Sequence, residues 1–458
     1  MFFLNNFKHI YFYLLILLAI TIGLQIFVYK IVIGALILHW LLTFNFENKI
    51  NKIIKSRFAI LLIIFYLLYA LSFLWSNNHA YALADLILKL PIIILPVIII
   101  SNEKLSFKEI NIILLSFASS IFFLNLFCFV NSFINFIQTA NLNEFFYKSL
   151  TVNMHTAYQA VFTCFSIVIF VYLFFKNTFL KNWISYFIII FQLIFLLLLS
   201  SRMQMISMGV IIPVFLISYF YSKGKIYLGL VYTILIFILA FIFMSFPSAL
   251  NYRYNQTIAH IKSEGIENKN SDPRQFIWKE AIQVLNSNWL LGVGSGDAKD
   301  VLLSRYSKLI VNNPIADNLV DSVIQVIVEN SEPNFFVKND SSNIKNNLKN
   351  KFRIQAENIL TNNNNRYKNF LEHRLNFHNQ FLQTFGTIGL LGVLILIYLF
   401  ANLFYLAIMK RDFLVISFLF ILFTSFLTES MLERQAGVVF FSFFYVISVM
   451  RFSSNKLS

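Results

Sequence analysis

The chain has 458 residues, 58% of them hydrophobic and 12% charged, with a net charge of +15. Soluble domains carry about 25% charged residues, and a soluble core cannot hide this much apolar side chain without exposing large patches. The composition excludes a disordered chain, a coiled coil, a collagen-like fibre and almost any soluble enzyme. It predicts an all-α polytopic membrane protein.

A membrane span needs ~20 apolar residues. In chain order, the qualifying segments are 10–28, 31–45, 58–75, 84–101, 110–132, 154–175, 184–200, 203–221, 226–246, 381–408, 413–428 and 438–452, about 12 transmembrane helices. The apolar run at the N-terminus has no small-residue cleavage site after it and reads as a retained span. The second, eleventh and twelfth segments are short, and only Ser200-Ser201-Arg202 divides the seventh from the eighth. Basic residues cluster at the N-terminus and in alternate loops: Lys8; Lys49, Lys52, Lys55 and Arg57; Lys104 and Lys108; Lys176 and Lys181; Lys223 and Lys225; Lys410 and Arg411; Arg451 and Lys456. The opposite loops hold only Lys30, Lys89, Lys148, Arg202 and Arg434 outside one long insertion. The positive-inside rule places the first set and both termini in the cytoplasm. Most of the charge therefore encodes orientation, not nucleic-acid binding. Cys128 and Cys164 sit in apolar stretches and read as small core residues.

The insertion, residues 247–378, carries 16 basic and 13 acidic residues and lies on the non-cytoplasmic side, before the tenth span. A loop this long without structure is uncommon. Asp272-Pro273 reads as a helix start, followed by Trp278, Ala281, Ile282 and Leu285 at helical spacing. Asp297 and Asp300 open a second helix through Val301, Leu302 and Leu303, and Ile344, Leu348 and Phe352 suggest a third. Gly292-Val293-Gly294-Ser295-Gly296 reads as a turn between the first two. The chain thus divides into spans one to nine (1–246), a helical loop domain on the non-cytoplasmic side (247–378) and spans ten to twelve (379–458).

Function in such a protein sits where polar residues survive near membrane depth. Arg202, at a span hairpin, is either a snorkelling interfacial residue or an anion contact, since a guanidinium grips phosphate in a bidentate fork. Arg274 is either a surface residue or a second anion contact, beside the free N–H groups of a helix start. His378 stands where the chain re-enters the membrane and is either an interfacial polar residue or a general base. His155 and Tyr158 end an outer span and line the same side. Glu429, Glu433, Arg434 and Gln435 cluster in the last outer turn, where a local ion pair is the simpler explanation. Gly386, Gly389 and Gly392 suit the close approach of a neighbouring helix. No spacing resembles a metal site.

These residues, taken together, resemble the O-antigen ligase family. The segment from His378 fits its pattern: His378, Asn379, then Gly389 and Gly392. The resemblance extends to twelve spans, a large periplasmic loop before the tenth, an arginine after the seventh, Arg274 and Trp278 leading to a glycine turn, and a last outer turn with Glu433 and Gln435. The stretch 311–370 is longer and more Asn-rich than is typical. The family implies transfer of a glycan from undecaprenyl diphosphate to lipid A–core at the bacterial inner membrane, inverting and without metal or cofactor. It implies that His378 serves the acceptor hydroxyl as base or organises the diphosphate, and that Arg202 and Arg274 hold the diphosphate. His155, Tyr158, Asn379, Glu433 and Gln435 are further candidates for lining the site. The same superfamily contains O-antigen polymerases, which extend the glycan on its carrier. A transporter or flippase would instead show inverted repeats and broken spans. Only Pro91, Pro96 and Pro213 fall inside spans, and no repeat is evident.

Overall fold

The computed structural model describes residues 2–24, 28–152, 154–176, 183–245, 273–310 and 365–454. In chain order its α-helices are α1 (Phe2–Leu24), α2 (Val28–Leu42), α3 (Phe46–Ile54), α4 (Arg57–Ser72), α5 (His79–Lys89), α6 (Pro91–Ser101), α7 (Phe107–Thr139) and α8 (Thr156–Phe175). There follow α9 (Trp183–Leu198), α10 (Arg202–Ser222), α11 (Ile226–Ser245), α12 (Pro273–Ser287), α13 (Ala298–Leu309), α14 (Gln380–Met409), α15 (Phe413–Thr428) and α16 (Gln435–Ser454). No strand occurs among the described residues.

Seven helical units are long and apolar enough to cross a membrane: α4 with its 3-10 extension, α5 continued by α6, α7, α8, α10, α14 and α16. The pair α2–α3, bent by 116°, makes an eighth if it counts as one span. Shorter apolar helices accompany them: residues 8–24 of α1, α9, residues 226–238 of α11, and α15. Each lies on an apolar segment read from the sequence. The last segment is longer than its hydropathy suggested, because α16 runs from Gln435 to Ser454. The bend after α2 was not evident in the sequence. There Phe44 and Asn45 take left-handed backbone angles and turn the basic stretch around Lys49 into the separate helix α3.

Polar caps start the apolar helices and satisfy their first N–H groups. Ser56 Oγ accepts from Ala59 N at 3.3 Å, and Ser106 and Glu109 form a reciprocal capping box at α7. The helices α8 and α16 bury most of their residues and form the centre of the bundle. Phenylalanine builds that centre. Phe162 stacks on Phe440 with centroids 4.4 Å apart, and Phe117 meets Phe444 edge-on at 4.6 Å. Such pairs add about 0.5–1.5 kcal/mol beyond area burial.

Two basic residues assigned above to topology are packed inside instead. Arg451 is only 2% exposed. It donates to Asp412 at 2.5 Å, Tyr172 at 2.6 Å and Asn111 at 3.1 Å, tying α7, α8 and α16 to the cap of α15. Lys89 is fully buried in α5, paired with Asp85 and, at 2.9 Å, with Glu433. Both positions carry a local ionic partner that the loop pattern alone does not reveal.

The described parts of the polar insertion form a small cap with its own core at the end of the bundle where α14 begins. Phe276, Ile277, Ala281, Ala298, Leu302, Tyr306, Phe370 and Phe377 pack together there. Helix α12 begins at Pro273 and α13 follows Asp297, as their helix signals predict; Asp272 and the segment around Ile344, Leu348 and Phe352 lie outside the described residues. Within α12, Ala281 and Leu285 face inward, whereas Ile282 is exposed.

The glycine stretch is the expected turn, and it also docks the cap. Ser295 and Gly296 N–H groups donate to Ser72 and Ser76 Oγ at 3.1 and 3.0 Å. Val293 and Gly294 donate to the carbonyls of Gly386 and Thr387 at 2.8 and 3.0 Å. At Gly389 the close partner is the turn at Leu290, whereas Gly386 meets Phe377 and, from the neighbouring helix α12, Leu285. Gly389 breaks α14 at φ 68° and ψ −164°, and a Cβ there would lie 2.1 Å from Leu290 O. Asp297 does not cap its own helix. Its carboxylate accepts from Asn77 N at 2.7 Å and Asn78 N at 2.9 Å, locking the cap to the loop before α5.

Candidate functional site

A cleft of about 180 Å³ opens beneath the cap. Its lining includes His155, Thr156, Ser201, Arg202, Gln204, Arg274, Thr428 and Glu429. Four elements supply these residues, and the local sequence explains each. Ser200 takes a left-handed turn with φ 50°, which ends the α9 segment and lets α10 begin at Arg202. Neither Ser201 nor His155 caps its helix through a side-chain hydrogen bond. The N-termini of α8 and α10 therefore present first-turn N–H groups and the positive ends of their dipoles to the cleft. Gln204 anchors the floor by donating to Ser425 Oγ at 2.9 Å.

Arg274, on the first turn of α12, reaches Glu429 with Nη2 2.7 Å from Oε1. Glu429 follows α15 directly, its N–H bonded to Ser425 O at 2.9 Å. The other carboxylate oxygen, Oε2, lies 3.4 Å from His378 Nδ1. That distance is an electrostatic contact, not a formed hydrogen bond. Burial alone would raise the Glu429 carboxyl; the facing His378 imidazole and the Arg274 guanidinium, helped by His155, outweigh it and hold the group below the ordinary carboxylate value. Burial also holds the His155 imidazole below its ordinary value, against the opposing charge of Glu429.

The backbone around His378 is built for placement. Phe377 is buried in the cap core, and Trp278 Nε1 donates to its carbonyl at 3.1 Å. Asn379 accepts from Leu382 N at 3.0 Å to start α14 and donates to Leu427 O at 3.0 Å. Between these fixed points His378 adopts φ 45°. A left-handed conformation at a non-glycine residue costs of order 1–3 kcal/mol and persists where the surroundings impose it.

The structure therefore brings Arg202, Arg274 and His155 to one cleft and sets His378 at its edge through Glu429. The other expected lining residues stand further back. Tyr158 is buried against Gly437, with its hydroxyl 3.4 Å from Met431 O. Asn379 serves as a helix cap, Glu433 pairs with Lys89, and Gln435 begins α16. Glu429 is the residue that the sequence reading placed only in a local cluster. Its partners are 155 residues away at Arg274 and 51 at His378; no local spacing signals such a contact.

An apolar helical bundle with a polar cap, and an arginine- and N–H-lined cleft between the two, defines a multi-pass membrane protein with a charged cleft at one end. Residues 187–323 match the family described as O-antigen ligase. The matched stretch contains Arg202, Arg274, Trp278 and the docking glycine turn. No curated protein matches the chain as a close relative.

Proposed function

We propose that the protein is an O-antigen ligase. It takes a glycan from an undecaprenyl-diphosphate carrier and transfers it to a sugar of lipid A–core. In this reading all twelve apolar segments span the inner membrane, the cap is periplasmic and both termini are cytoplasmic, as the alternation of basic loops requires. The observation that carries the reading is the convergence of Arg202, Arg274 and two helix N-termini on one cleft, with His378 at its rim.

The chemistry follows from charge. An acceptor hydroxyl attacks the anomeric carbon, the bond from that carbon to the diphosphate oxygen breaks, and inversion results. The bonding pair leaves with the diphosphate, and the hydroxyl proton passes to His378. Negative charge builds on the leaving oxygen. Preorganised cations and N–H dipoles at that position lower the barrier, since they need no reorganisation as the charge develops. Arg202, Arg274 and the first turns of α8 and α10 are such groups. The polyprenyl chain lies against the apolar helices.

The test is the lipopolysaccharide of a deletion strain. A ligase leaves bare core while long carrier-linked polymer accumulates. Single repeats still joined to the core would instead identify a polymerase. Restoration by the wild-type gene and not by His378→Ala completes the test.

A further inference from the structure

A carboxylate in an anion site demands a reason. Glu429 lines the same cleft as Arg202 and Arg274, is held ionised by its neighbours, and repels any diphosphate that enters. Removing it would strengthen donor binding, so its presence must serve another step. Its two oxygens divide the work: Oε1 meets Arg274 at 2.7 Å, and Oε2 meets His378 Nδ1 at 3.4 Å.

Resting on the proposed ligase reading, we infer that Glu429 is a positioning residue that couples donor binding to the base. It holds Arg274 in the empty site and cedes it to the donor's diphosphate. It orients His378 so that Nδ1 carries the hydrogen toward the carboxylate and Nε2 presents its lone pair to the acceptor hydroxyl. The tautomer follows from the second nitrogen's partner. When Arg274 turns to the diphosphate, Glu429 loses its strongest competitor, and its full charge faces the imidazole. The base is then best supported only when the donor is bound. An acceptor that arrives before the donor therefore meets a base whose supporting carboxylate is shared.

A purely structural role for Glu429 predicts that its loss weakens binding and transfer together. The coupling role predicts opposite signs. In the full-length protein, Glu429→Gln is expected to bind undecaprenyl diphosphate about three- to tenfold tighter, because Arg274 is released and a facing negative charge is gone. The same variant is expected to transfer glycan at least about tenfold slower, within the range for an impaired general base. In an Arg274→Ala background the affinity gain from Glu429→Gln shrinks to the part due to lost repulsion, since no arginine remains to be released. Glu429→Asp restores part of the transfer rate and loses the affinity gain; it also serves if the Gln variant fails to insert. Unchanged or weakened carrier binding in Glu429→Gln, or wild-type transfer, would overturn the inference. Wild-type carrier affinity in both Arg202→Ala and Arg274→Ala is a separate result, and it would remove the diphosphate site itself.

Discussion

At the residue scale, the cleft is a small set of charges whose balance decides its behaviour. Arg202→Ala and Arg274→Ala each remove a charge-assisted contact, worth roughly 1.5–3 kcal/mol. Each should weaken binding of undecaprenyl diphosphate by about one to two orders of magnitude, measured by titrating the carrier into the purified protein. Glu429 carries a pH signature as well. Its carboxyl is held below the ordinary value by His378, Arg274 and His155 against the cost of burial. A depressed folded-state value contributes stability above the unfolded value, and that contribution is lost as pH falls through the folded value. The melting-temperature gap between wild type and Glu429→Gln should therefore be constant near neutrality and close in acid; a gap that widens in acid would contradict the assignment. The sequence made Arg202, Arg274 and His378 legible because each is a polar residue at a span or helix boundary. Glu429 was not legible as a site residue, because its meaning comes from partners brought in by α12 and by the turn before α14.

At the element scale, two devices fix the arrangement, one between the cap and the bundle and one within the bundle. One is the break in α14 at Gly389, whose backbone angles lie in a region open essentially to glycine alone. Gly389→Ala adds backbone strain of about 1–3 kcal/mol and drives a Cβ into Leu290 O. The cap should loosen, seen as faster proteolysis within residues 288–297 while the bundle stays protected. The other device is the buried Lys89, which serves Asp85 in α5 and Glu433 in the turn before α16. Lys89→Met leaves two carboxylates without their cation and should cost about 3–5 kcal/mol, as removal of one partner from a buried pair does. Neutralising all three residues together should recover most of that loss in a thermal melt. The apolar helices were readable because hydropathy and capping residues are local signals. The α14 break, the α2–α3 bend and the Lys89 cluster were not. Glycine spacing says that something comes close but not what, and a lysine near a helix end looks the same whether it faces water or a carboxylate.

At the scale of the whole molecule, the account is one of sidedness. The cap, Arg202, Arg274 and His378 share one end, and the loop basic residues Lys176, Lys223 and Lys410 mark the other. Cys128 and Cys164 are both buried, so single cysteines added at exposed positions report topology cleanly. A membrane-impermeant maleimide should label Lys308→Cys in intact spheroplasts and Lys223→Cys only after lysis; the reverse would invert the orientation. The composition that opened the reading, apolar and basic, follows from this arrangement: apolar residues build the bundle, and most basic residues orient it. In the proposed reading, the few polar groups gathered at the opposite end carry the chemistry. The most direct measurement of that claim is glycan transfer in proteoliposomes holding the purified protein, a carrier-linked glycan and lipid A–core. The wild type should form the ligated product, and His378→Ala, inserted and folded and still binding the carrier, should lose at least about a hundredfold in rate. Transfer by His378→Ala at the wild-type rate would contradict the account.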